Sequence, residues 1–317
     1  HYRSRWEVGF MYCYKRLSIL SFLPLYLLLA LAFRHSIAAE ERSLVFGRVH
    51  DDPVRSIRDR QEFVDYIAKK LVPLGITGGR IVVVEKMHLL ARAIKEGKVD
   101  LFHDSVVPTV VLSKWSGSVP ILRQWKYGEA EYEGVILVRK NSGIDTLSHL
   151  KGRVIAFDEP HSTSAHILPR MLLADKKLKL MQMTTPGGTK ADAVGFVYGS
   201  DGSAANLLIT GRVDAAATSY RELEELRPDV KETLKVIGRT RSVPRQLLSV
   251  RKDLDPNIAK ALREVLLNMD KDPEGREVLR KQQKTTKIDE IPPGSLEQLK
   301  PIERFVFSVL GKEVDSW

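Results

Sequence analysis

Residues 156–173, AFDEPHSTSAHILPRMLL, put Asp158, His161, Ser162, Thr163, Ser164 and His166 where a short apolar run gives way to a helical pattern. Three chemistries draw on such side chains. Asp158, His161 and Ser162 hold the elements of a nucleophilic triad, but groups this close in sequence, spread over a strand end and a turn, rarely align nucleophile, base and orienting acid. The Gly-x-Ser-x-Gly elbow is also missing. His161, His166 and Asp158 lack a recognised metal-ligand spacing, and no further cluster completes a coordination sphere. The third chemistry is electrostatic. A helix start carries unpaired N–H groups and a partial positive charge, so hydroxyls gathered round it make a socket for an oxyanion without needing a full cation. N-capping by one of Ser162, Thr163 or Ser164, with the others solvated, is the competing role. Three consecutive hydroxyls between two histidines favour the socket.

Hydrophobic period and chain breakers locate the elements that must position this stretch. SLVFGRVH (43–50) reads as a buried strand. Phe63, Tyr66, Ile67 and Leu71 follow at helical spacing until Pro73 and Gly75 stop them. RIVVVEK is a second strand, MHLLARAIKEG a helix, and Val99–Phe102 a third strand. This alternation predicts a parallel sheet with crossover helices. The rhythm restarts with strands at Val135–Val138 and Val154–Phe157, a helix at Ser164–Ala174, an irregular piece, a helix at Ser203–Ile209 and the strand VDAAAT. LKVIGRT and RQLLSVRK then return as strands before the helix NIAKALREVLLNMD and a tail of helices and loops. Trp115, Trp125 and Tyr127 are expected to cover the core of the first unit.

The same step, helix to Gly to Val-Asp strand, occurs in AIKEGKVDLFHDS (93–105) and LLITGRVDAAATS (207–219). In open α/β sheets ligands gather beyond the carboxyl ends of strands. That rule selects His50, Asp51, His103, Asp104, Ser105, the His161–Ser164 turn and Ser219.

The chain of 317 residues, 43% hydrophobic and 28% charged, has material for one large or two medium domains. Its net charge of +10 leaves 45 basic against 39 acidic side chains beyond residue 39, suiting an anionic ligand. Lys and Arg alternate with Glu and Asp instead of forming a basic stripe, which argues against a nucleic-acid partner. Lys15 and Arg16, the apolar run Leu17–Phe33 and the small residues before Glu40 have the order of a secretory signal peptide, with Met11 as start and cleavage after Ala38 or Ala39. An uncleaved anchor is the alternative. Cys13 is the chain's one cysteine, so a cleaved chain has no disulfide or thiolate metal site.

FGRVHDDP, GKVDLFHDS, VILVRKNSGIDTLSHLKGRVIAFDEPHSTSAHILPRMLL and GRVDAAATSYRELEEL together resemble the phosphonate-type substrate-binding proteins of ABC transporters, over roughly residues 43–270. The resemblance implies an α/β, two-lobed, type II periplasmic-binding-protein-like fold, each lobe a mostly parallel sheet with flanking helices. Residues 43–134 plus 235–317 would form one lobe and 135–234 the other, hinged near Tyr132–Val138 and Leu234–Arg239. It further implies a periplasmic, monomeric, non-enzymatic protein without a cofactor, partnered by a membrane permease or a sensor kinase. Ser162, Thr163 and Ser164 would bind a small oxyanion, with His161 beside them and His50, Asp51 and Ser105 contacting it from the first lobe. Asp201 stands where many phosphonate binders carry a histidine, and Ser105 where a tyrosine is expected.

Overall fold

The run RSLVFGRV forms β1 (Arg42–Val49), a strand buried on both faces: Leu44 and Phe46 enter one apolar layer and Val45 the other. Such a strand belongs in the middle of a covered sheet, and β1 pairs in parallel with β2 (Ile76–Val84) and β3 (Leu101–Asp104). The computed structural model describes residues 42–185, 189–199 and 203–317. The leader-like segment with Cys13, and Asp201, lie outside them. Among the described residues no helix is long and apolar enough to cross a membrane.

Helices α1 (Pro53–Arg58), α2 (Gln61–Lys70), α3 (Met87–Lys95) and α4 (Val106–Ser116) link the strands up to β4 (Val119–Gln124). Phe63, Tyr66, Ile67 and Leu71 are buried as their spacing requires. A two-residue strand, β5 (Glu131–Tyr132), precedes the second sheet. That sheet contains β6 (Gly134–Arg139), β7 (Val154–Phe157), β8 (Lys179–Gln182), β9 (Ala193–Tyr198), β10 (Ala215–Ser219) and β11 (Leu234–Arg239). Helices α5 (Leu168–Asp175), α6 (Ser203–Ile209) and α7 (Tyr220–Glu225) belong to it. The chain then returns through β12 (Val243–Pro244), β13 (Gln246–Val250) and β14 (Ile288–Asp289). The sheet orders are β14-β4-β13-β3-β1-β2 and β11-β6-β10-β7-β9-β8, each a parallel set completed by antiparallel strands. This is the expected two-sheet α/β architecture.

Two expectations need correction. β11 pairs with β6 from Leu234↔Arg139 onward, so Leu234–Arg239 is an edge strand of the second sheet and not a hinge or the start of the first-lobe return. Leu234 and Val236 pack on one face of that sheet and Ile237 on the other, which holds the segment there. The chain crosses between sheets at Tyr132–Gly134 and Thr240–Val243, where β5 and β12 form their own ladder. β4 and β9 were not anticipated: Pro120 obscures the strand pattern of the first, and the second follows a Gly-rich run.

The tail is no loose appendage. Leu299, Ile302, Val306, Leu310, Val314 and Trp317 fill the apolar layer that also receives Ile167 and Leu168 from the second lobe. Glu313 accepts from Arg170 of α5 at 3.0 Å.

Gly134 sits at the crossing. A Cβ there would lie 2.2 Å from the Ser164 carbonyl oxygen, so only glycine lets β6 begin against that turn. Gly134→Ala should cost about 1–3 kcal/mol, whereas Gly78→Ala, with nothing within 4 Å, should be near neutral in the same thermal melt. Equal melting temperatures would show that the close approach is unimportant.

Candidate functional site

The carboxyl ends of β1, β3, β7 and β10 open onto one cavity of about 930 Å³. His50 and Asp51 follow β1, Ser105 follows β3, His161–Ser164 follow β7, and Ser219 ends β10; all eight line the cavity. Long-range topology therefore brings together side chains scattered over 170 positions.

At its centre two helix starts meet. The turn after β7 is a single π-helical stretch, Thr163–Ile167, continuous with α5; the Ile167 amide reaches back to the Ser162 carbonyl at 3.0 Å. Ser162 is its N-cap, accepting from the Ala165 amide at 3.3 Å. Opposite it, α4 begins without help from its own N-cap side chain, Ser105. Thr163 supplies the missing acceptor: its Oγ1 takes the Val107 amide at 3.0 Å and donates to the Ser105 hydroxyl at 3.1 Å. A hydroxyl from one lobe thus caps a helix of the other. Capping and a cleft-facing hydroxyl are compatible roles, because a Ser that accepts from an amide keeps its own proton to donate.

Tyr132, not among the site residues read from the sequence, adds a further hydroxyl. Its phenol lies beside the hydroxyls of Thr163, Ser164 and Ser105, and burial pushes its pKa up, keeping it protonated. The Arg245 guanidinium lies 4.2 Å over its ring. No local pattern marks Tyr132; its place comes from being the last residue before the sheets part.

The remaining candidates differ in quality. Ser219 closes a capping box with Glu222, accepting its amide at 3.2 Å, so its hydroxyl retains a proton for the cleft. Asp51 has a fully exposed side chain at the rim, and His50 Nδ1 accepts the Asp52 amide at 2.8 Å, which keeps that nitrogen from donating to Asp51 3.2 Å away. His161 is also at the rim, 3.2 Å from Glu159 and edge-on to Trp317. Asp104 accepts the Ser105 amide at 2.7 Å and pairs with Arg48 at 2.9 Å. His103 is buried between Gln246 and Gln282 and serves the core. All three are half-buried, but Trp115 packs on Phe307 against the apolar layer of the first lobe, while Trp125 and Tyr127 are flanked by cations, so the expected role of covering the core holds for Trp115 alone. Among the described residues no group of three His, Cys, Asp or Glu side chains is placed to share a metal.

His166, the second histidine of the quoted stretch, turns inward. Its Nδ1 donates to the Pro160 carbonyl at 2.6 Å and its ring stacks edge-on to Tyr198, so it braces the turn from behind. Burial lowers its pKa from 6.5 to about 3. Between those values the unfolded chain binds a proton that the folded imidazole refuses, so this contribution is complete above pH 6.5 and is lost as pH falls toward about 3. His166→Gln should therefore lose less melting temperature than the wild type across that window; equal losses would show that His166 is not the group responsible.

The chain matches the family described as "ABC transporter, phosphonate, periplasmic substrate-binding protein" over residues 48–292. Among solved structures it is similar to XAC2383 from Xanthomonas citri bound to chloride ion, at 26% identity and a TM-score of 0.79, covering 84% of this chain and 98% of that one. The same protein bound to ATP gives 24% identity and a TM-score of 0.79, covering 86% and 98%. PhnD1 from Prochlorococcus marinus in complex with methylphosphonate gives 19% identity and a TM-score of 0.62, covering 84% and 98%. Two covered sheets with a cleft at their strand ends, and a match over most of the length, lead to one conclusion: this chain belongs to the phosphonate-type periplasmic substrate-binding family of ABC transporters.

Proposed function

We propose that the cleft captures a small oxyanion (phosphate, phosphite or a phosphonate) between the lobes and delivers it to an ABC permease in the membrane. One observation carries this reading: the Thr163 hydroxyl joins the start of α4 to the start of the turn leading into α5. Two helix starts pointing at one place bring two partial positive charges together, an arrangement that an anion stabilises and a neutral or cationic guest does not. The hydroxyls of Ser162, Ser164, Ser105 and Tyr132 surround that place; the Thr163 proton is already given to Ser105. An oxyanion accepts only, so it takes hydroxyl protons and the first-turn amides, bonds that are charge-assisted. The chloride-bound relative is consistent with an anionic guest.

The crossings at Tyr132–Gly134 and Thr240–Val243 are the two connections about which the lobes would turn. Opening them separates Thr163 from Val107 and Ser105 and parts the Ser162 and Ser164 hydroxyls from Ser105, so the whole cradle exists only in the closed form. Release to the permease is then one event with opening.

Ser162→Ala combined with Ser164→Ala removes two donors to a charged acceptor and should weaken methylphosphonate and phosphate binding by roughly 3 kcal/mol, on the order of a hundredfold. Titration calorimetry decides it; wild-type affinity in the double variant would place the oxyanion elsewhere.

A further inference from the structure

The hydroxyl cradle leaves the cations of the cleft unexplained. Arg48, Lys126 and Arg245 line the same cavity. Arg60, on the wall of a second cavity of about 320 Å³, is within electrostatic reach of Arg48 and Lys126. Two carboxylates meet this group. Asp104 pairs with Arg48 at 2.9 Å, and Glu129 stands 3.2 Å from Arg245 without the alignment of a hydrogen bond. Among the described residues, neither Lys126 nor Arg60 has a carboxylate at ion-pair distance, and Arg60 is only 5% exposed. The Nε atoms of Arg48, Arg60 and Arg245 are all buried without an acceptor.

Desolvated cations with too few carboxylates are costly and call for an anion, and the Tyr127 ring 5.2 Å from the Lys126 ammonium offsets only part of that cost. Burial and neighbouring like charges depress Lys126 to about 8 and Arg60 to about 10, consistent with a shortage of negative charge. Three acids of the cleft are already engaged: Glu222 accepts the Ser219 amide at 3.0 Å, Asp158 accepts the Ala204 amide at 3.2 Å, and Glu159 stands 3.2 Å from His161, while Asp51 is fully exposed at the rim. The cavity also lies near the upper end of the size range for drug-sized ligands, more room than a one-carbon phosphonate fills.

We propose that the ligand carries two separated acidic groups: a phosphoryl or phosphonyl group in the hydroxyl cradle, and a carboxylate or second phosphoryl received by Lys126 and Arg48, with Arg60 adding positive potential from behind. This rests on the oxyanion reading above and adds the substrate class. A phosphonate bearing an ammonium group is disfavoured, because it brings a like charge to Lys126.

Calorimetry on the intact protein with four probes tests it: methylphosphonate, phosphonoacetate, 3-phosphonopropionate and 2-aminoethylphosphonate. The better of the two phosphonocarboxylates should bind at least about tenfold tighter than methylphosphonate, and the aminophosphonate weaker than methylphosphonate. Lys126→Met, or Lys126→Gln should the first variant not fold, should bring the phosphonocarboxylate preference down to about one. If methylphosphonate binds and neither phosphonocarboxylate is tighter, or the preference survives the substitution, the second subsite is wrong while the cradle stands. If none of the four binds, this inference fails, and the oxyanion reading fails with it when phosphate and phosphite are refused as well.

Discussion

The hydrogen bond from the Val107 amide to the Thr163 hydroxyl is the constraint on which the cleft depends. It spans the two sheets, so it exists only when both helix starts have been brought face to face. Everything nearby serves that meeting. Gly134 gives the Ser164 carbonyl room, His166 fixes the Pro160 carbonyl from behind, and Asp104 orients the Ser105 amide. Like partial charges do not choose to face one another, and the surrounding hydroxyls, Tyr132 included, lower the cost of that meeting.

Much of this was legible in the primary structure, for a stated reason. Strand ends in an α/β sheet point at one edge, so locating the strands located His50, Ser105, Ser162–Ser164 and Ser219 together. The HSTSAH segment announced a helix start because hydroxyls and a preceding proline mark one. What stayed hidden depends on distance along the chain. Nothing near Thr163 says that its hydroxyl caps a helix 56 residues earlier. Arg48 and Arg245 look like ordinary surface cations until folding sets them in one cleft. His166 read as a partner of the hydroxyls because sequence shows neighbours and not the direction in which a π-helical turn points them. β11 was assigned to the wrong sheet because an apolar strand carries no mark of its partner.

The cleft separates two kinds of recognition. In the proposed binding mode, hydroxyls and amides donate to an oxyanion by geometry and without net charge, which favours selectivity over mere attraction. On the proposal above, Arg48 and Lys126 would supply net charge, steering anions toward the opening and meeting a second acidic group there. A protein that must both bind and let go gains from this division, since opening the lobes dismantles the first set while the second stays on one side.

A crystal structure of the protein grown with methylphosphonate is the most direct check. The account requires phosphonyl oxygens within hydrogen-bond distance of the Ser162 and Ser164 hydroxyls and of the amides opening that turn, between the two lobes. A phosphonyl group held anywhere else, with the Thr163 hydroxyl still closed on Val107 and Ser105, would contradict it.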